Sequence, residues 1–223
     1  MAGAKLIERV PWDCAALGCE AYELSAATPD AIAQARSPGH YTVKVDPLAD
    51  KRILHDSGFY FCDTLLEPFC PGADFRPLPH PAARYSRDAE IEPLLAICAG
   101  AFEHGRFHRD FNVERGRADL RYQNWLRTLH AAGKVYGLLW DANLAGFIAH
   151  EGSKLVLHAL SPQHRGRGIA KYLWGAVCAD LVRAGARELT SSISATNLAA
   201  LNLYVALGFR FRNPVDVYHR VIR

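Results

Sequence analysis

The eight residues Gln163-His164-Arg165-Gly166-Arg167-Gly168-Ile169-Ala170 constrain the fold more than any other part of this chain. A strand-like run, KLVLHALS, delivers them through Pro162, and Ile169, Leu173, Ala176, Val177 and Leu181 then recur at helical spacing. Strand, glycine turn and amphipathic helix in succession imply a layered α/β arrangement with the helix packed back on a sheet. The two glycines let successive backbone N–H groups turn inward and form a concave anion site. The helix start adds about half a positive charge, which suits a diphosphate. Arg165 and Arg167 raise the local field. A basic surface turn is the competing reading, and the apolar strand before the loop and apolar helix after it weigh against that.

Around this loop the pattern predicts a mixed sheet with helices on its faces. The proline-rich stretch LEPFCPGADFRPLPHPAAR reads as a linker, over 67–83, between a unit at 1–66 and a larger one at 84–223. In the larger unit Asp88 is the candidate N-cap of a helix whose buried stripe is Leu94, Leu95, Cys98, Ala101 and Phe102. A second helix over about 114–132 places Leu120, Trp125, Leu126 and Leu129 inward. KVYGLLW and LAGFIAHE are strands joined by a hairpin at Asp141-Ala142-Asn143, and KLVLHALS is a third. Downstream, ELTSSIS is a strand, NLAALNLYVAL a helix closed by Gly208, and FRFRNPVDVYHRVIR one or two strands. The order is β-α-α-β-β-β-α-β-α-β. DKRILHDSGFYF (50–61) also echoes ALNLYVALGFRF (200–211), with Gly58, Phe59 and Phe61 matching Gly208, Phe209 and Phe211. Helix, glycine and returning strand thus recur, as in a duplicated unit.

Composition narrows the function classes. Half of the 223 residues are hydrophobic and the net charge is +3, with no basic stripe of the kind nucleic acid requires. No stretch approaches the roughly 18 apolar residues of a membrane span. The start, MAGAKLIERVPWD, has charges where a signal peptide needs apolar residues, so a cytoplasmic location is expected. None of the six cysteines forms a CxxC pair, and no His/Cys cluster has metal spacing, so no metal is expected.

LSPQHRGRGIAKYL resembles the Q/R-x-x-G-x-G/A motif of the GNAT acyltransferase superfamily, over about residues 84–223, and the element order is the GNAT order. The resemblance implies acetyl-CoA as acyl donor. It places Leu160 on the strand that pairs with the pantetheine arm, and sets Gln163 and the backbone of Arg165, Gly166, Arg167, Gly168 and Ile169 against the CoA diphosphate. It further implies that Asn197 contacts the cofactor and that Tyr204, seven residues on, protonates the departing thiolate. That chemistry suits a tetrahedral intermediate whose leaving sulfur needs a proton. A core tyrosine is the competing reading, given Leu201, Leu203 and Leu207.

Three further stretches bear on the acceptor. VPWDCAALGCEAYEL resembles the W-D-x-x-x-x-G opening of the dTDP-fucosamine acetyltransferases, the WecD-like group. FEHGRFHRDFNVERGRADLRYQNWL resembles that group's F-x-x-S-R-F segment and downstream tryptophan, with Gly105 where serine is usual. That group carries a truncated GNAT-like N-terminal domain, which would account for the echo. Within GRFHRDF, Arg106 and Arg109 can pair with phosphates, and Phe107 or Phe111 can stack on a base or sugar. A solvated charged loop is the alternative. The ribosomal-protein N-terminal acetyltransferases place a glutamate base five residues before the Asn; here that position is Ser192, and the base stays unassigned, with His158 a speculative substitute.

The expectation is an acetyl-CoA-dependent N-acetyltransferase acting on a nucleotide-linked 4-amino-deoxy sugar, with a homodimer as candidate assembly. The alternatives are a GNAT enzyme acting on another small-molecule or peptide N-terminal amine, and a catalytically silent acyl-CoA-binding protein.

Overall fold

The computed structural model describes residues 5–223. The first half contributes β1 (Ile7–Arg9), α1 (Pro11–Leu17), β2 (Ala21–Leu24), α2 (Pro29–Gln34), β3 (Gly39–Val45), α3 (Arg52–Asp56) and β4 (Tyr60–Pro71). The second contributes β5 (Ala83–Ser86), α4 (Ile91–Cys98), α5 (Arg115–Ala131), β6 (Val135–Trp140), β7 (Asn143–Glu151) and β8 (Lys154–Leu160). It closes with α6 (Ala170–Arg183), β9 (Glu188–Ser191), β10 (Ile193–Ser194), α7 (Leu198–Ala206) and β11 (Arg210–Ile222). All strands join one mixed sheet in the order β1-β2-β3-β11-β4-β9-β8-β7-β6-β5, with β10 also on β4.

The two halves exchange strands. β11, the last strand of the chain, lies between β3 and β4, while β4 lies between β11 and β9. Tyr60 faces His219 and Phe69 faces Arg210. Moving Tyr60 and Phe69 along by the offset of the sequence echo gives Arg210 and His219, so the offset exchanges the two pairs. β4 runs on to Pro71, so 67–71, read from sequence as the start of a linker, is sheet.

Alternating strand residues fill cores on both faces. Ile148 packs with Leu173, Val177, Leu181 and Leu189 beneath α6, whereas Phe147 and Ala149 pack with Leu94, Leu95, Leu126 and Leu129 of α4 and α5. Two expectations need correction. Asp88 does not cap α4, because its backbone N–H donates to Ser86 Oγ in a preceding turn and Glu90 takes the cap position. Leu120 is 37% exposed, because the buried face of α5 runs through Ala118, Leu126 and Leu129.

Candidate active site

The glycine loop follows β8 through a short 3₁₀ turn, Pro162–His164, which contains Gln163. Gly166 and Gly168 sit at φ 70° and 69°, the left-handed region that side chains resist. The N–H groups of Gly166, Arg167, Gly168 and Ile169 make no hydrogen bond among the described residues, and α6 begins at Ala170. Four free donors therefore sit at the positive end of a 14-residue helix. Arg165 is not among these donors: its Nε donates to Leu160 O at 2.9 Å and its backbone N–H to Pro162 O at 3.3 Å. Ile169, buried beneath α6, anchors the loop.

The strand leading to this loop has an open edge. β8 and β9 run parallel and pair only at Lys154–Thr190 and Leu155–Ser191. Ser191 Oγ donates to Leu155 O at 2.8 Å and closes the apex; beyond it β10 pairs with β4 instead. The strands diverge around a cleft of about 340 Å³, with Val156, Leu157 and His158 on one wall and Ser192, Ser194 and Asn197 on the other. The unpaired edge of β8 can take an extended ligand by main-chain hydrogen bonds.

Asn197 caps α7, its side chain accepting from Ala200 N at 3.1 Å. Tyr204 is fully buried, and its hydroxyl lies 3.0 Å from His158 Nε2. His158 lines the cleft and stands between it and the phenol. Burial lowers the His158 pKa to about 4 and raises that of Tyr204, so the imidazole is neutral and the phenol protonated at pH 7.

The far end of the cleft is built by the loop between α4 and α5, pinned to the first half. Asp110 Oδ2 accepts from His40 Nε2 at 3.0 Å and His219 Nδ1 at 2.8 Å, and Oδ1 accepts from Tyr60 Oη at 2.9 Å. Burial opposes ionisation of Asp110, but the hydrogen bonds from His219 and His40 hold it well below the usual carboxylate range. These three residues are close enough to hold a metal, yet one carboxylate oxygen already serves both imidazoles. Asp13, from the W-D segment, pairs with Arg121 of α5 at 2.6 Å.

Within this loop the expected acceptor residues separate. Arg106 lines the cleft, and its Nε is buried without a partner among the described residues. Arg109 is committed, with Nη1 donating to Asp63 Oδ1 at 2.8 Å. Phe107 cannot stack on a ligand. It is fully buried among Arg106, Arg121, His40 and His219, which leave no face free. Phe111 is 79% exposed and rests on Tyr60. Sequence reading missed Asp63 and Asp110, whose partners lie far along the chain; a lone aspartate inside FYFCDTLL was the available signal.

Residues 104–209 match the model of the Acetyltransferase (GNAT) family. No curated protein matches the sequence. Among solved structures, the fold resembles a GCN5-related N-acetyltransferase from Sphaerobacter thermophilus at 15% identity and TM-score 0.60, covering 85% of this chain and 62% of that one. A GNAT-family protein from Novosphingobium aromaticivorans gives 17% identity and TM-score 0.56, over 100% of this chain and 91% of that one. A tandem GNAT protein from the clavulanic acid biosynthesis pathway gives 12% and 0.57, over 92% and 76%. The chain thus spans less than two thirds of the Sphaerobacter protein. Residues 104–209, a little under half of the chain, thus match the GNAT family model, and these solved structures share the fold.

Proposed function

We propose that the chain transfers the acetyl group of acetyl-CoA to a primary amine, the acceptor being a nucleotide-linked 4-amino-deoxy sugar. The observation that carries this reading is the run of four free amides at the start of α6, reached along the open edge of β8. The CoA diphosphate accepts from those amides beside Gln163, and the pantetheine arm adds to β8 up to Leu160 as an extra strand. The thioester then lies between the diverged strands near Asn197. The amine attacks the carbonyl carbon, and Tyr204, acting through His158 at the cleft wall, supplies the proton that the leaving thiolate takes. Arg106, a cation with an unmet donor at the far end of the cleft, meets the acceptor's phosphate. Residues 1–66 act as a truncated copy of the second half, a reading supported by the offset shared between echo and strand register.

The test combines binding and turnover. Gly168→Val places a side chain at φ 69°, and Gly166→Pro demands a negative φ where the chain has 70° and also deletes one amide. Each should weaken acetyl-CoA binding at least tenfold by calorimetry, while Arg165→Ala changes it little. Unchanged affinity in both glycine variants refutes the placement. A panel of nucleotide-linked amino sugars, amino acids and peptide N-termini, read by CoA release, then decides the acceptor.

A further inference from the structure

Two buried polar atoms of opposite character border the same cleft without partners among the described residues, Arg106 Nε and Asp63 Oδ2. Asp63 comes from β4, the strand lent by the first half, and is wholly buried. Its other oxygen, Oδ1, is fixed by Ser194 Oγ at 2.7 Å and Arg109 Nη1 at 2.8 Å. Ser194 is itself oriented: it spends its one proton on Asp63 and receives Thr196 N–H at 3.2 Å, with the Thr196 hydroxyl at 2.8 Å. A carboxylate held so firmly by one oxygen, with the second unmet, is costly unless a ligand group pairs with it. The cleft is where that partner would come from.

We infer that Asp63 is the base of the reaction: its Oδ2 receives the ammonium of an anionic acceptor whose negative group lies at Arg106. This rests on the acyl-transfer reading above. The other groups bordering the cleft fit the role less well. Glu151 is exposed at the outer turn, His104 is exposed beside the Thr196 hydroxyl, and His158, lowered to about 4, is engaged with Tyr204. Burial raises the Asp63 pKa against the opposing pull of Ser194 and Arg109, which makes its carboxylate a stronger base.

The proton balance closes. An N–H bond of R–NH₃⁺ breaks and its proton forms O–H with Oδ2, freeing the nitrogen lone pair. That pair forms the C–N bond while the carbonyl π pair moves to oxygen. Collapse breaks C–S, and the thiolate takes a proton from His158, which His158 regains from Tyr204. Tyr204 is reprotonated by the second proton shed from nitrogen, and Asp63 returns its own to solvent.

The test uses the full chain with acetyl-CoA and three anionic amines as probes: dTDP-4-amino-4,6-dideoxygalactose, glucosamine 6-phosphate and β-alanine. The charged and titratable groups facing Asp63 are Arg109 and Arg106 from the loop, Tyr122 from α5 and Cys62 on its own strand. Asp63→Asn keeps an oxygen for Ser194 and Arg109 and removes only the base. At pH 7 it should lower kcat by about 10²–10⁴ with acetyl-CoA affinity unchanged. Its rate should then climb about tenfold per pH unit towards the amine's own pKa, as hydroxide replaces the carboxylate, whereas the wild type reaches a plateau. A wild-type rate in Asp63→Asn, or a loss equal at every pH, overturns the assignment. Should that variant fail to fold, Asp63→Glu decides: the displaced carboxylate must move the acidic limb of kcat/KM, and an unmoved limb overturns it. If the wild type acetylates none of the probes, the acyl-transfer reading fails and takes this inference with it. If the wild type turns over and Asp63→Asn matches it, Asp63 alone falls.

Discussion

Tyr204 holds its hydroxyl 3.0 Å from His158 in a fully buried setting, and deleting that oxygen separates catalysis from packing. Tyr204→Phe keeps the ring against Phe209 and should lower kcat by about 10²–10⁴, with acetyl-CoA affinity nearly constant. A thioester whose thiolate leaves without a proton should restore much of the rate. Near-normal turnover on acetyl-CoA, with chemistry rate-limiting, would make Tyr204 a core residue. At this scale the sequence was legible wherever function follows local backbone. Gly166 and Gly168 stand out by spacing, and both need a left-handed φ. Phe107 was misread because the groups that bury it, His40 and His219, come from strands that no nearby pattern reveals. Gly105 is a departure with a local cause: a Cβ there would run into the Tyr122 hydroxyl, so the serine of the similar segment does not fit beside this tyrosine.

Asp180 on α6 binds that helix to the sheet edge. It accepts from Tyr85 of β5 at 2.7 Å, Tyr136 of β6 at 2.9 Å, Arg87 at 2.6 Å and Arg183 at 3.0 Å. Burial pushes its pKa up, but these four donors outweigh that and hold it at about 2, below the ordinary 3.8. A depressed carboxylate pKa stabilises the fold above pH 3.8, and the contribution disappears as pH falls through about 2. Asp180→Asn should therefore cost about 2 kcal/mol at pH 7. The gap in melting temperature between variant and wild type should narrow below pH 3.8 and close near pH 2; a constant gap would contradict the ion-pair origin. The element order of the second half was readable because each helix and strand carries its own period. The break between β9 and β10 was not. It depends on β4 drawing Ile193 and Ser194 away from β8, and β4 lies more than a hundred residues upstream.

At the scale of the whole molecule, neither half owns its sheet. Residues 84–223 alone would leave β9 and β11 without the strand that separates them. That fragment should show no cooperative thermal transition and should bind acetyl-CoA only when a peptide spanning 58–72 is supplied. Independent folding of 84–223 with full cofactor affinity would refute this dependence. The echo between 50–61 and 200–211 was visible in sequence, but its consequence for strand order was not, since a repeat does not say which copy's strand enters which gap. The exchange also sets a timetable for synthesis. About 140 residues separate the end of β4 from the start of β11, so at about 5–20 residues per second the nascent chain carries an unfilled slot between β3 and β4 for roughly 7 to 28 s. For that interval two strand edges are open to any neighbouring chain, and β11, made long after β3 and β4, is the strand that closes them.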